Sequence, residues 1–317
     1  MGFARLSLFL LWCMENFKLQ ILGSGSALPT KSHAQPSQVL SVRDKSFMID
    51  CGEGTQRQML ASKVRISRLN NIFISHLHGD HCFGLIGLIS TLGMFNRTAD
   101  LYIHSHPSFQ SIIEPLLKAF CVDLTYKVCF VPFDPSKSEL IYEDRSLTVF
   151  SLPLKHKVPT AGFLFVEKER DRNIRREMID FYRIPLASIP LIKKGNDFVT
   201  EEGEVIPNSR LTLDPAPPKK YAYCSDTMYT ERLLPYIDSV DCLYHEATFL
   251  HSDIAKAKAT MHSTALQAAT IASKANVKKL ILGHFSARYE DFSPFLKEAR
   301  ALFQNTSLAS DGNLFEF

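Results

Sequence analysis

"FISHLHGDHCFGL", residues 73–85, packs three histidines and an aspartate into six positions directly after an apolar run. His76, His78, Asp80 and His81 in such proximity do not improve a core, because burial penalises each polar ring and charge. They make sense as ligands for a metal. The cluster then needs partners elsewhere in the chain, and the sequence can be checked for them.

Four apolar runs of strand character end in a candidate ligand. "NIFIS" leads into His76, "LTVFSLPLK" into His156, "KKYAYCS" into Asp226 and "KKLILG" into His284. Strand ends beside loops are where αβ proteins place their chemistry. Imidazole nitrogen with carboxylate oxygen, and no thiolate, suits zinc or manganese in a catalytic rather than a structural site. His76 and His78 are two apart in an extended loop and can face one ion with His156. Asp80 and His81 follow the turn at Gly79 and can face a second ion with His284, Asp226 lying between. Two ions about 4 Å apart activate water and stabilise a phosphodiester transition state. The ordinary readings compete: Asp226 as a turn cap, His156 and His284 as surface or capping histidines. His104 and His106 read as structural, His33, His245 and His251 as solvent-facing or supporting, and Cys82 as core.

Bulk properties suit a globular chain. The 317 residues are 45% hydrophobic and 22% charged, with a net charge of +3, which excludes a strongly basic protein but not a local basic patch. The seven cysteines (13, 51, 82, 121, 129, 224 and 242) form no Cys-x-x-Cys pair and read as a reduced, cytosolic set. "MGFARLSLFLLWC" has too short an apolar run for a membrane span and lacks a cleavage signal. Residues 1–13 are therefore expected to be an extension outside the fold, which begins near Met14. No membrane association is expected. Strands and helices alternate, including strands in "FKLQILGSG", "DLYIHSH", "TAGFLFV" and "VDCLYHE" and helices in "CFGLIGLISTLGMF" and "HSTALQAATIASKAN".

Six segments, running from about residue 17 to the end, resemble ribonuclease Z, the tRNA 3′-processing branch of the metallo-β-lactamase superfamily. They are "LGSGSALPTK" at 22–31, "IDCGEGTQRQ" at 49–58, "SHLHGDH" at 75–81, "HEATF" at 245–249, "HST" at 262–264 and "GHFSARY" at 283–289. The resemblance implies a four-layer αβ/βα sandwich with an inserted protruding arm. It implies two zinc ions per chain, manganese being possible. His76, His78 and His156 would hold the first, Asp80, His81 and His284 the second, with Asp226 bridging. Asp80 would also accept a proton, and Asp50 would order the site through hydrogen bonds. His262, oriented by Glu246, would protonate the leaving 3′ oxygen, and Ser286 and Arg288 would contact phosphate. The implied partner is precursor tRNA, and the implied assembly is a cytoplasmic homodimer.

The arm is expected at about 167–196. Residues 167–194 carry eight basic side chains against five acidic, a net of +3; a solvated charged helix is the plain alternative. Two departures stand out. The arm's centre, "IPLASIPLIKKG", holds one glycine, and the loop after the first strand keeps Pro29 and Lys31 but has His33 and Ala34 where the family often has Arg-Asn. Another dinuclear metallohydrolase or a non-catalytic RNA-binding relative are the competing functions. All seven ligand positions are kept, which argues against the latter.

Overall fold

The structure, a computed structural model, describes residues 17–317. The expected extension at residues 1–13 lies outside the described residues. Two compact units divide the chain: residues up to Val166 together with Lys219–Phe317, and the inserted Glu167–Pro218.

The first unit starts with antiparallel β1 (Phe17–Gly23), β2 (Ser37–Val42) and β3 (Lys45–Ile49). Parallel strands β4 (Leu69–Phe73), β5 (Leu101–Ser105) and β6 (Val128–Pro132) follow, reached through helices α1 (Thr55–Ala61), α2 (Leu85–Met94) and α3 (Phe109–Phe120). The other half comprises β7 (Leu140–Glu143), β8 (Leu147–Pro153), β9 (Ala161–Glu167), β10 (Lys220–Cys224), β11 (Cys242–Glu246), β12 (Leu280–Gly283) and β13 (Thr306–Leu308). These form one seven-stranded sheet in reverse sequence order. The last strand, β14 (Leu314–Glu316), returns to pair with β1 at the edge of the first sheet.

Side-chain alternation along the strands dictates the layers. Phe47, Phe73, Phe163, Phe165, Tyr221 and Tyr223 are buried together between the sheets, each ring worth about 2–3 kcal/mol of burial. The outer face of the first sheet takes Phe109, Ile113 and Leu117 of α3, whose spacing of four puts them on one helical stripe. The outer face of the second takes Ala268, Ala269 and Ala272 of α4 (Ala265–Lys274) and Phe295 of α5 (Ser293–Arg300). The result is the expected αβ/βα order. Because β3, β4 and β5 are parallel, the segments after β3 and β4 emerge at the same edge. A Cβ on Gly52 would lie 2.4 Å from the Asp80 carbonyl oxygen, so the turn after β3 must be glycine for the ligand loop to seat against it.

The inserted unit has its own small core of Ile184, Ile192, Phe198, Ile206 and Leu211. Asn173–Ile174 pairs with Thr212–Leu213, and the Asn208 side-chain amide donates to the carbonyls of Ile192 (2.6 Å) and Asn196 (2.8 Å). The unit therefore extends beyond the expected boundary at about 196, because the later residues complete its core. They also change its charge. Residues 195–218 add five acids and only Arg210, so the positive balance belongs to 167–194 alone. Among the described residues no helix is long and apolar enough to cross a membrane.

Candidate metal centre

The four strand ends converge. Ligand atoms of His76, His78, His156 and Asp226 form one group, and those of Asp80, His81 and His284 form a second, all atoms within each group lying within 4.8 Å of one another. Asp226 faces both. Its Oδ2 is 3.6 Å from Nε2 of His76 and of His156, and its Oδ1 is 3.2 Å from Nε2 of His81 and 3.0 Å from Nε2 of His284. The backbone is strained to achieve this. Asp50, Asp226 and His284 adopt φ of 56°, 57° and 60°, a region costly for non-glycine residues, on the order of 1 kcal/mol or more each.

The other ring nitrogens show why the Nε2 atoms point inward. His81 Nδ1 donates to Asp50 Oδ2 (2.7 Å), and His156 Nδ1 donates to the Met261 carbonyl (3.0 Å). Thr248 Oγ1 donates to Glu246 Oε2 (2.7 Å), so at 2.9 Å it accepts from His284 Nδ1. Ser75 Oγ donates to Asp50 Oδ2 (2.9 Å), so at 3.0 Å it accepts from His76 Nδ1. Each proton placed on Nδ1 leaves an Nε2 lone pair directed at the centre. The Nε2 atoms of His81, His156 and His284 are buried without a hydrogen-bond partner. Such orphans cost about 1–3 kcal/mol each unless something occupies the space between them. Unprotonated imidazoles around a shared carboxylate fit divalent cations.

Electrostatics agree for His76, His78 and His156 but not for His81, which two carboxylates pull toward its charged form. Burial pushes His76, His78 and His156 below the usual imidazole range. Burial also opposes charge on His81, but Asp226 and Asp50 outweigh it and raise that ring. Burial would raise Asp226 and Asp80, yet His284 and His81 beside each carboxylate hold both well below the usual range. At the rim, His262 Nδ1 meets Glu246 Oε1 at 2.9 Å. Burial would lower this ring, but the carboxylate raises it to about 9.

Comparison with known proteins agrees with this arrangement. The chain is 56% identical to the ribonuclease Z of Bacteroides fragilis over 298 residues, 94% of this chain and 98% of that one. The chain belongs to the ribonuclease Z family. The crystal structure of human tRNase Z, short form, superposes with a TM-score of 0.67 at 25% identity, covering 94% of this chain and 98% of that one. The metallo-β-lactamase fold protein YhfI of Bacillus subtilis gives 0.67 at 19% identity, covering 96% and 100%, a likeness of fold alone. A family model described as anti-Pycsar protein Apyc1 matches residues 17–125.

In this ribonuclease Z family member the expected site residues are brought together. His78, Asp80, His156, Asp226, His262, His284 and Ser286 line one pocket of about 290 Å³. Arg288 lies beside it, its Nε donating to Ser286 Oγ (3.2 Å) and its guanidinium 5.1 Å from the Phe249 ring. Asp50 is buried and accepts from Ser75 N (2.8 Å), Ser75 Oγ (2.9 Å) and Tyr223 OH (2.7 Å). His104 stays apart, its ring stacked on Phe73 at 4.4 Å. The sequence reading missed Ser75, Tyr223, Thr248 and the Met261 carbonyl. Hydroxyls and carbonyls carry no spacing signal, and "HEATF" alone hinted at Thr248.

Proposed function

We propose that this protein removes the 3′ trailer from precursor tRNA with two divalent ions, zinc or manganese, cutting at or near the discriminator base. The observation that carries this reading is the pair of ligand groups joined by Asp226, with the His262–Glu246 pair at the rim of the same pocket. His76, His78 and His156 would hold one ion and Asp80, His81 and His284 the other. When bound, the ions supply a water acidic enough to be deprotonated near neutral pH and positive charge for the phosphate oxygens. Asp80, kept ionised by its histidine neighbours, accepts the proton of the attacking water. Ser286 and Arg288 hold the phosphate, Arg through its fork of donors. His262 gives its proton to the 3′ oxygen as the phosphorus–oxygen bond breaks, and Glu246 keeps that ring charged. The products are tRNA with a 3′-hydroxyl and a trailer with a 5′-phosphate. The cations of residues 168–194 meet RNA phosphates, and the chain works as a cytoplasmic homodimer.

Incubation of metal-loaded protein with a 3′-extended precursor, with mapping of the new ends, is the direct test. One cut at the discriminator base is expected, alongside two equivalents of zinc or manganese by elemental analysis. Hydrolysis of a generic ester with no cut in the precursor would point to a different metallohydrolase.

A further inference from the structure

A second cavity, about 550 Å³, is lined by Lys155, the residue before His156, and has no part in the chemistry above. Its walls include Lys155, Thr230, Arg232 and Tyr236, over a floor of Pro153 and Leu154. Most of it comes from the two segments that carry His156 and Asp226 and continue into the short helices holding Arg232 and Tyr236, with Ser136 contributed by a third loop. Lys155 N donates to Thr227 Oγ1 (3.2 Å) and Met228 N donates to the Lys155 carbonyl (2.9 Å), sewing the loops into one seam. His156, Lys157 and Asp226 of these joined segments line the metal pocket, and Lys155 and Thr230 line the second cavity.

The charges around it are unbalanced in a useful way. Glu231 is engaged by Lys274 and by Tyr229 OH, and Asp134 is engaged by Lys137 and by Ser136. Lys155 and Arg232 meet no carboxylate among the described residues. The cavity thus presents two unpaired cations, hydroxyls and the exposed edge of an aromatic ring. That combination of cationic groove and stacking platform suits single-stranded nucleic acid. A duplex is far too wide for it, whereas unpaired nucleotides fit.

Resting on the reading of the chain as a trailer-removing nuclease, we infer that this cavity binds the first nucleotides of the 3′ trailer. Lys155 and Arg232 take phosphates, and a base stacks on Tyr236. The upstream side of the cut offers one unpaired nucleotide before the acceptor stem, whereas the trailer offers a continuous single strand that can cross the seam.

The test compares metal-loaded parent, Lys155→Glu/Arg232→Glu and Tyr236→Ala on precursors with one-nucleotide and eight-nucleotide trailers. For the long trailer, KM should rise about tenfold in either variant, the scale of one lost stack or a pair of lost phosphate contacts. For the short trailer the variant-to-parent ratio should stay near one. The slope of log KM against log salt on the long trailer should fall by about 1.4 in the charge variant, as for two phosphates of a single strand. Lys155→Arg/Arg232→Lys should retain parental KM. If the charge reversal prevents folding, Lys155→Gln/Arg232→Gln reads the same quantities. A ratio independent of trailer length, or an unchanged salt slope, overturns the inference while the parent still cleaves. A parent that leaves every precursor intact removes the underlying reading as well.

Discussion

Asp226 shows how one side chain organises the centre: Oδ1 serves the His81 and His284 side, and Oδ2 the His76 and His156 side. In the proposed mechanism Asp80 accepts the proton of the attacking water. Asp80→Ala should lower kcat on precursor tRNA about 10³-fold, the range of a lost acid–base group, with an unchanged far-UV circular dichroism spectrum. Near-parental turnover would refute its role. The His262–Glu246 pair predicts a pH signature. The ring must be protonated to act as an acid, and the carboxylate raises it to about 9. In Glu246→Gln that support is gone, so the descending alkaline limb of the kcat profile should move to lower pH and kcat at pH 8 should fall about tenfold. A limb that stays in place would mean another group supplies the proton.

At the level of elements, the inserted unit is a separable piece of the chain. Its flanking strands β9 and β10 pair antiparallel, with Val166 opposite Lys220. A short turn can therefore join them if residues 168–218 are removed. Stopping at 194 would leave Phe198, Ile206 and Leu211 without the core they share with Ile184 and Ile192. If the cations of 168–194 hold RNA phosphates as proposed, the full deletion should raise KM for precursor tRNA at least tenfold. Hydrolysis of a small nitrophenyl phosphodiester should persist within about twofold. Loss of both activities together would mean that the unit is needed to form the catalytic centre.

The whole molecule is expected to act as a two-fold dimer, the commonest closed assembly, with one chain's inserted unit gripping the tRNA cut by the other. Mixing the 168–218 deletion with a His262→Ala chain tests this. Each homodimer should process precursor poorly, one lacking grip and the other the leaving-group acid. A mixed dimer contains one intact grip and one intact site, so activity should recover to a substantial fraction of the parent's. Activity equal to the mean of the two parents, after confirmed subunit exchange, would show that each chain works alone.

The sequence alone determined the candidate ligands and the strands that deliver them, because apolar runs ending in His or Asp are a local signal. It also located α4, whose start proved to be Thr264, with its side chain accepting from Gln267 N in a capping box. It did not reveal β6 or β7, which lie at sheet edges and are half exposed, so their alternation is weak. The return of β14 to β1 joins positions nearly 300 residues apart, which no local pattern encodes. The tertiary structure alone supplied the partners that hold each Nδ1 and turn Nε2 toward the centre. Thr248, Ser75 and the Met261 carbonyl reach their histidines across gaps of 36, 1 and 105 residues, and only folding turns those hydroxyls and carbonyls toward an Nδ1. The same holds for the inserted unit's limits and charge, since its boundary is set by where its core closes rather than by where its basic residues end.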